Sequence, residues 1–141
     1  MSPDDIYLTS GCGQAIEILL NALARPNANI LLPSPGFPYY EAWGGFTQME
    51  MRHFNLLPEK EWEVDLNAVE SLADENTVAM VIINPGNPCG NVYSEEHLKK
   101  VCVLPLFCYD IDILSHYKYK EVFQFLLGGR NGKEAWNFSY F

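Results

Sequence analysis

The 141-residue chain has no long apolar run and little positive charge. Its longest apolar stretches, residues 78–83 and 101–108, are far shorter than the roughly 18 to 20 residues that cross a bilayer. Nine basic against eighteen acidic side chains give a net charge of −9, which repels nucleic acid and anionic membrane surfaces alike. Residues 1–5 contain neither the basic nor the apolar segment of a secretory signal. We therefore expect a cytoplasmic protein with no nucleic-acid or membrane partner.

Paired cysteines are missing as well. The chain has four cysteines, and no two of them form a Cys-x-x-Cys pair. Without a secretory signal, they are expected to be reduced thiols. Cys102, Cys108 and His116 could be imagined as metal ligands, but their spacing matches no common zinc pattern. The sequence therefore predicts no metal site.

The end of the chain differs in composition from the rest. Residues 1–103 carry five basic and fourteen acidic side chains, whereas residues 104–141 carry four of each. Nine of the nineteen aromatic residues lie in the first region and ten in the much shorter second one. No repeat and no Gly/Ser-rich linker marks the join. We predict that residues 1–103 form one folded region and that residues 104–141 are a divergent tail, whose fold the sequence does not define.

Apolar runs alternate with helical patterns in the first region. We predict strands at residues 5–9, 29–32, 48–55 and 78–83, and helices at residues 14–24, 39–43, 65–72 and from 94 onward, the last two with Asp65 and Ser94 as candidate N-caps. The run at 78–83 is apolar on both faces, which is typical of a buried parallel strand. This alternation predicts an α/β fold with a mainly parallel sheet and flanking helices. Ligands of such sheets bind beyond the carboxyl ends of the strands.

The loop before the first helix, residues 10–13, is a candidate phosphate site. Its backbone amides lie at a helix start, and Gly11 and Gly13 let an anion approach closely. The segment matches neither G-x-G-x-x-G nor the P-loop pattern, so a purely structural turn is an equal alternative. A helix start also favours a nucleophilic thiolate at Cys12, but no His partner is identifiable for that role.

Two further loops follow predicted strands. In residues 84–90, two prolines and two glycines constrain the chain, and Asn87 carries an amide that could donate a fixed hydrogen bond. An ordinary turn after a strand is the alternative. In residues 35–40, Phe37 could either stack on a planar ligand or pack into the core, which is the commoner fate of a phenylalanine.

Three segments in order, residues 8–16, 32–38 and 84–90, closely resemble the pyridoxal-phosphate-dependent aminotransferases of fold type I. The resemblance extends over residues 1 to about 100. Within it, residues 52–60 and 62–66 resemble the tyrosine aminotransferase branch, which in plants includes nicotianamine aminotransferases. The resemblance implies that residues 1–103 form part of the family's large domain, with an unrelated tail after it.

The resemblance implies cofactor-binding roles for five residues. Backbone amides at Gly11, Cys12 and Gly13 would receive the phosphate of pyridoxal 5'-phosphate. Phe37 would stack on the pyridine ring, and Asn87 would donate a hydrogen bond to the phenolic oxygen. Gly13 stands where a serine is expected in the tyrosine branch, which removes one hydroxyl donor. Cofactor binding by this chain is therefore expected to be weak or absent.

The residues that would carry catalysis in such an enzyme are not recognisable. The family's Schiff-base lysine follows a serine in a small-residue context, and none of the six lysines does so. An aspartate for the pyridinium nitrogen and an arginine for the substrate carboxylate are not recognisable either, and Asp110 comes too soon after the last predicted helix. We predict no catalytic residue and negligible catalysis by this chain.

The resemblance therefore implies a truncated aminotransferase that continues into unrelated sequence near Val101. Its parent enzyme would transfer an amino group from an amino acid to a 2-oxo acid and would be a homodimer. The strands at 5–9 and 78–83 would lack their later partners, which predicts an unstable fragment. One alternative is a noncatalytic fragment that pairs with a full-length aminotransferase subunit. Another is a Rossmann-type dinucleotide binder, although the G-x-G-x-x-G pattern is missing.

Overall fold

The computed structural model describes residues 7–102, 104, 122–127 and 137–139. Four α-helices lie in this part of the chain: α1 (Gly11–Leu23), α2 (Tyr39–Thr47), α3 (Leu66–Leu72) and α4 (Glu95–Cys102). All four correspond to predicted helices, although α1 begins at Gly11 instead of residue 14 and α2 extends to Thr47. Among the described helices, none combines the length and apolarity that a membrane span requires.

Six strands in the described residues form one mixed sheet. They are β1 (Asn29–Ser34), β2 (Glu50–Leu57), β3 (Glu63–Val64), β4 (Thr77–Asn84), β5 (Val122–Leu127) and β6 (Asn137–Ser139). Their order in the sheet is β3-β2-β1-β4-β5-β6. The central strands β2, β1 and β4 are parallel; β3 pairs antiparallel with β2, β5 pairs antiparallel with β4, and β6 pairs antiparallel with β5. The α/β prediction is confirmed, with the parallel strands at the centre of the sheet.

Helices cover both faces of this sheet. Along β1, Ile30 and Leu32 pack in an apolar layer with α1 and α2, whereas Leu31 packs in the opposite layer with α3 and α4. In β4, every residue before Asn84 is buried. Burial on both faces explains why this strand is a continuous apolar run in the sequence. The core therefore consists of two apolar layers separated by the central strands.

Two of the helices begin at side-chain caps that the sequence predicts. The Asp65 carboxylate accepts hydrogen bonds from the amides of Asn67 and Ala68 at the start of α3. At the start of α4, Ser94 Oγ accepts from the amide of His97 at 3.1 Å. These contacts pair amides that have no partner within the helix. Both helices therefore begin one residue after the predicted cap.

A polar network joins β1, β2 and β4 at their amino ends. The Asn29 side chain donates to Asp74 Oδ1 at 2.8 Å and accepts from Thr77 Oγ1 at 2.7 Å. Arg52 Nη1 donates to Asp74 Oδ2 at 2.7 Å and to the Leu72 carbonyl at 2.8 Å. The hydrogen bond from Arg52, followed by that from Asn29, lowers the pKa of Asp74 to about 2. We call Asn29, Arg52, Asp74 and Thr77 the amino-edge network.

Two expectations about strand pairing are wrong. Residues 7–9 are not in a strand, and Tyr7 and Leu8 are 71% and 95% exposed; residues 5–6 lie outside the described part of the chain. The second error concerns β4, which has a neighbour on each side because β5 pairs with it antiparallel, from Asn84 opposite Val122 onward. An antiparallel strand can satisfy the same open backbone groups as a parallel one. The tail thus supplies the strand that was expected to be missing.

Candidate cofactor site at the carboxyl edge

The loops that the sequence identifies as candidate binding loops lie at the carboxyl edge of the parallel strands. β1 leads into the loop that carries Phe37, and β4 leads into the loop that carries Asn87. Because β1 and β4 are adjacent and parallel, both loops leave the sheet at the same edge. The start of α1 lies there too, since Gly13 faces Tyr39 just after β1.

The start of α1 has the features of an anion site. Gly11 begins the helix with a φ of 83°, a left-handed conformation that favours glycine. The preceding Ser10 makes no side-chain cap, and the first turn contains no acidic residue. Gln14 Oε1 instead accepts a hydrogen bond from the Ser10 amide at 2.7 Å. The amides of the first turn therefore point beyond the helix start, where the helix dipole favours an anion.

Tyr39 fills the space beside Gly13. A Cβ atom on Gly13 would lie 3.1 Å from Tyr39 Oη and 3.2 Å from its Cζ, which is closer than ordinary van der Waals contact. The Tyr39 hydroxyl donates to Glu17 Oε1 at 2.5 Å. This hydrogen bond, followed by burial, raises the pKa of Tyr39. Tyr39 therefore stays protonated at neutral pH and joins the start of α2 to the first two turns of α1.

The ring of Phe37 contacts two tyrosines. It stacks on Tyr39 with centroids 5.9 Å apart and planes 11° apart, and it meets Tyr40 edge-on at 6.2 Å. Tyr40 is fully buried, and burial raises the pKa of its hydroxyl. Cys12 on α1 packs against the same apolar layer as these rings. Phe37 is thus partly a core residue, which was one of the two alternatives for it.

Phe37 also lines a shallow groove between the loop after β1, α2 and β2. The other lining residues are Leu32, Pro33, Ser34, Gly36, Pro38, Tyr40, Glu41 and His53. Within the groove, His53 Nε2 lies 3.3 Å from Glu41 Oε2, and both side chains are exposed. Apolar walls with a few polar groups are common in ligand sites, so the second alternative for Phe37 is compatible with its position.

Asn87 is exposed on a loop that is closed by backbone hydrogen bonds. The Gly86 amide donates to the Asn91 carbonyl, and the Gly90 amide donates to the Gly86 carbonyl, both at 2.8 Å. The Asn91 side chain packs so closely on Gly86 that a Cβ there would lie 2.0 Å from its Oδ1. The loop therefore presents Asn87 at the carboxyl edge, on a different connection from Phe37.

The sequence identifies the helix start and both loops, but not the contacts between them. Glu17 and Tyr39 are 22 residues apart, and no local pattern indicates that they are hydrogen bonded. The nearest signal is Gly13, because a glycine in a helical turn where a serine is expected points to a close neighbour. Only the fold shows that this neighbour is Tyr39.

The described lysines lie on α4 or in the turn before β3. Lys99 and Lys100 pair with Glu95 and Glu96 along α4, at 2.6 and 2.9 Å, and α4 packs on the opposite face of the sheet. Lys60 is exposed in a 3-10 turn before β3. The other three lysines are outside the described residues.

No metal-ligand cluster of His, Cys, Asp and Glu side chains occurs within the described residues. Cys12, Cys89 and Cys102 form no disulfide within that part of the chain. Of the imagined ligand set, Cys102 is half-buried at the end of α4, while Cys108 and His116 lie outside the described part of the chain. The thiol pKa of Cys102 is raised by burial, which disfavours the thiolate form that binds metals.

Comparison with known proteins gives consistent matches. The family model for aminotransferase class I and II matches residues 1–106. The S-alkyl-thiohydroximate lyase SUR1 of Arabidopsis thaliana is 66% identical over 101 residues, which are 72% of this chain and 22% of that protein. Nicotianamine aminotransferase 1 of Oryza sativa is 62% identical over 101 residues, 72% of this chain and 20% of that protein. The cystine lyase CORI3 of Arabidopsis thaliana is 47% identical over 131 residues, 93% of this chain and 30% of that protein, so this match extends past residue 103.

Solved structures of aminotransferases share the fold. The tyrosine aminotransferase from Leishmania infantum has a TM-score of 0.64 and 43% identity, covering 66% of this chain and 25% of that one. The aspartate aminotransferase from Thermus thermophilus has a TM-score of 0.69 and 27% identity, covering 72% and 27%. The mixed sheet with its flanking helices is therefore part of the large domain of fold type I.

The chain spans less than a third of the length of these relatives. The class I and II aminotransferases depend on pyridoxal phosphate. The start of α1, Phe37 and Asn87 belong to the three segments that resemble this family, and all three lie at the carboxyl edge of the sheet. Since the family model matches most of its residues, the chain belongs to the class I and II aminotransferase family, of which it represents a part.

Proposed function

We propose that this chain forms the phosphate-binding and ring-binding part of a pyridoxal 5'-phosphate site in an aminotransferase of the tyrosine branch. The observation that carries the proposal is the arrangement at the carboxyl edge, where the uncapped start of α1 and the Phe37 ring both contact Tyr39. The similarity to a tyrosine aminotransferase and to a nicotianamine aminotransferase supports the choice of branch.

The residues at this edge fit the cofactor. Its phosphate is an anion, and the start of α1 offers amide donors with no acidic side chain in the first turn. Amides at Gly11, Cys12 and Gly13 would hold the phosphate, Phe37 would stack on the ring, and Asn87 would donate to the phenolic oxygen. When bound, the cofactor supplies the electron sink for amino transfer. Binding is expected to be weak because no lysine is recognisable that would anchor the cofactor covalently.

The chain alone is not expected to catalyse amino transfer. The reaction requires a lysine that holds the cofactor and moves a proton, and none of the six lysines has the expected sequence context. Those that the structure describes lie on α4 or in the turn before β3. Catalysis should therefore be negligible.

Several properties are proposed for the whole aminotransferase of which this chain represents a part. Its substrates are an amino acid and a 2-oxo acid, it is a homodimer, and it is cytoplasmic. The division of the chain into residues 1–103 and a tail, 104–141, is also a proposal; the family match ends at residue 106, whereas the match to the cystine lyase extends past residue 103. The acidic net charge is compatible with a cytoplasmic location.

A binding experiment tests the proposed site. Equilibrium dialysis with pyridoxal 5'-phosphate should show saturable and reversible binding, which Phe37→Leu and Asn87→Ala weaken. Matched controls are Phe46→Leu, at an exposed phenylalanine near the end of α2, and Asn67→Ala, at an exposed asparagine on α3. Absence of saturable binding, or equal losses in the controls, would refute the site.

An activity assay tests the predicted lack of catalysis. With the cofactor, tyrosine and 2-oxoglutarate, the purified chain should form no keto acid above the rate with free cofactor. Turnover that persists after further purification, and that Phe37→Leu reduces, would show that the chain contains a catalytic group.

A further inference from the structure

Gly13 and Glu17 lie on one face of α1, because residues four apart are neighbours on a helix surface. Tyr39 covers that face. Its hydroxyl donates to Glu17, and it lies so close to Gly13 that a Cβ there would be 3.1 Å from Oη and 3.2 Å from Cζ. Gly13 therefore does more than expose backbone amides, since its missing side chain makes space for Tyr39.

The same tyrosine also stacks on the Phe37 ring. The planes of the two stacked rings are nearly parallel, with centroids 5.9 Å apart. Only Pro38 separates the two residues in the chain. A shift of Tyr39 would therefore move Phe37, or break the stacking, or break the hydrogen bond to α1. One side chain thus connects the proposed phosphate donors with the proposed ring partner.

Glu17 has two opposing effects on an anion at the start of α1. Its carboxylate lies about one helical turn from the first-turn amides and repels a phosphate there. Its Oε1 also accepts the hydrogen bond that holds Tyr39 in place. An uncharged acceptor could make the same hydrogen bond without the repulsion, so the two effects can be separated by substitution.

We propose that Tyr39 is a positioning residue of the cofactor site, held by Glu17 so that it fixes the Phe37 ring relative to the start of α1. Gly13 favours this arrangement, because a Cβ there would contact the Tyr39 ring so tightly that the ring would have to shift by a few tenths of an ångström. The inference rests on the proposed function and adds to it a residue that acts through Phe37 and α1.

The test compares pyridoxal 5'-phosphate with pyridoxal, which lacks the phosphate, on the full chain. Tyr39→Phe keeps the ring and removes the hydroxyl, and it should weaken binding of pyridoxal 5'-phosphate by about three- to tenfold, as expected for one lost hydrogen bond. Glu17→Gln keeps an acceptor and removes the charge, and it should strengthen that binding while leaving pyridoxal binding unchanged. Opposite effects of the two variants would not arise if the pair only stabilised the fold.

Matched controls are Tyr7→Phe, at an exposed tyrosine, and Glu70→Gln, at an exposed glutamate on α3. A second test does not involve the hydrogen bond. Gly13→Ala should weaken binding of both ligands, although alanine favours the helix. The control Gly45→Ala, at a glycine with open space around it, should leave the binding of both ligands unchanged. Thermal unfolding by circular dichroism identifies a variant that has not folded. If Tyr39→Phe does not fold, the Glu17→Gln and Gly13→Ala results decide.

The outcomes separate the inference from the proposed function. If the unaltered chain shows no saturable binding of pyridoxal 5'-phosphate, the proposed function fails and the inference fails with it. If that chain binds the cofactor but Tyr39→Phe and Gly13→Ala behave like their controls, only the inference is overturned. If Glu17→Gln weakens binding as much as Tyr39→Phe does, a purely structural pair explains the data and the inference is likewise overturned.

Discussion

Asn29 connects the first residues of two central strands through one side chain. It has no exposed surface, and its amide group donates to Asp74 and accepts from Thr77. Its removal would leave a buried Thr77 hydroxyl without the acceptor that it now has. We predict that Asn29→Ala lowers the free energy of unfolding by about 1–3 kcal/mol, measured by urea denaturation.

An exposed asparagine provides the control for this prediction. Asn67→Ala on α3 removes an amide of the same size from an exposed position, and the free energy of unfolding should change by less than about 0.5 kcal/mol. Equal losses in the two variants would show that the amino-edge network adds no more stability than a surface amide does.

His97 is a second buried polar residue with a defined protonation state. Its side chain is 4% exposed, and Nε2 accepts a hydrogen bond from the Val64 amide at 3.0 Å. The proton of the neutral ring therefore resides on Nδ1, which lies 3.3 Å from Glu63 Oε2. Burial lowers the pKa of His97, the nearby Lys100 lowers it further, and Glu63 partly opposes them.

This lowered pKa predicts that the chain loses stability in mild acid. The unfolded chain takes up a proton on His97 near the ordinary value of 6.5, while the folded chain resists it, so protons favour unfolding. The contribution of neutral His97 to the free energy of unfolding is complete above about pH 6.5 and is lost as the pH falls through the folded-state pKa. Urea midpoints measured from pH 8 to pH 5 should therefore decrease, and less so in His97→Gln, whose amide oxygen can still accept from Val64.

Two comparisons make the pH prediction specific. His53→Gln removes an exposed histidine and is the matched control variant for His97→Gln. Asp74 does not change the stability over this pH range, because its pKa of about 2 means that its charge is lost only at lower pH. A slope that is the same with and without His97 would contradict the prediction.

At the residue scale, the sequence predicts positions better than partners. The glycine that begins α1, the Phe37 loop and the Asn87 loop are recognisable because turn chemistry is local. The roles of Tyr39, Glu17 and His97 are not, since each depends on a contact with a residue far away in the chain. Tertiary packing brings these partners together, and periodicity contains no information about it.

At the element scale, the long periodic segments are predicted well and the short or distant ones are not. Helices α1 to α4 and strands β1, β2 and β4 all correspond to predicted segments. The two-residue β3 is too short to show alternation, and β5 is defined by its pairing with a strand almost forty residues earlier. Conversely, residues 7–9 have the composition of a strand, but no neighbour in the described sheet pairs with them.

The pairing of β5 with β4 predicts slow amide exchange in the centre of the sheet. Because β4 lies between β1 and β5, amides in residues 79–83 should be among the best protected in the chain. Gln124→Pro removes one amide donor from β5 opposite Ile82 and should speed exchange in β4 by roughly three- to tenfold. Hydrogen exchange with mass spectrometry measures both effects.

The control variant Gln124→Ala keeps the backbone amide and should leave the exchange of β4 nearly unchanged. β1, whose neighbours are β2 and β4, provides an internal reference in both variants. Exchange of β4 at the rate of an unstructured peptide, in the unaltered chain, would mean that β5 does not hold the edge of β4 in solution.

For the whole molecule, the distribution of lysines leads to a prediction about covalent labelling. The described lysines lie on α4 or before β3, and the start of α1 and the Phe37 loop have none beside them among those residues. Borohydride reduction with pyridoxal 5'-phosphate, followed by peptide mapping, should therefore find low labelling spread over several lysines.

A chemical control accompanies this prediction. Reduction in the presence of excess inorganic phosphate should not change the pattern, because spread labelling reflects lysine exposure and not the site at α1. One lysine labelled in near-stoichiometric amount, and protected by phosphate, would reveal a Schiff-base residue that the sequence context does not indicate.

The amino-edge network and the carboxyl-edge loops lie at opposite ends of the same three strands. Substitutions that change the choice of ligand would fall at one end, and the side-chain network that joins the strands lies at the other. A chain arranged in this way can vary exposed residues of its recognition loops without disturbing the amino-edge network. Substitutions that alter ligand specificity and substitutions that alter stability can therefore accumulate at separate sets of positions.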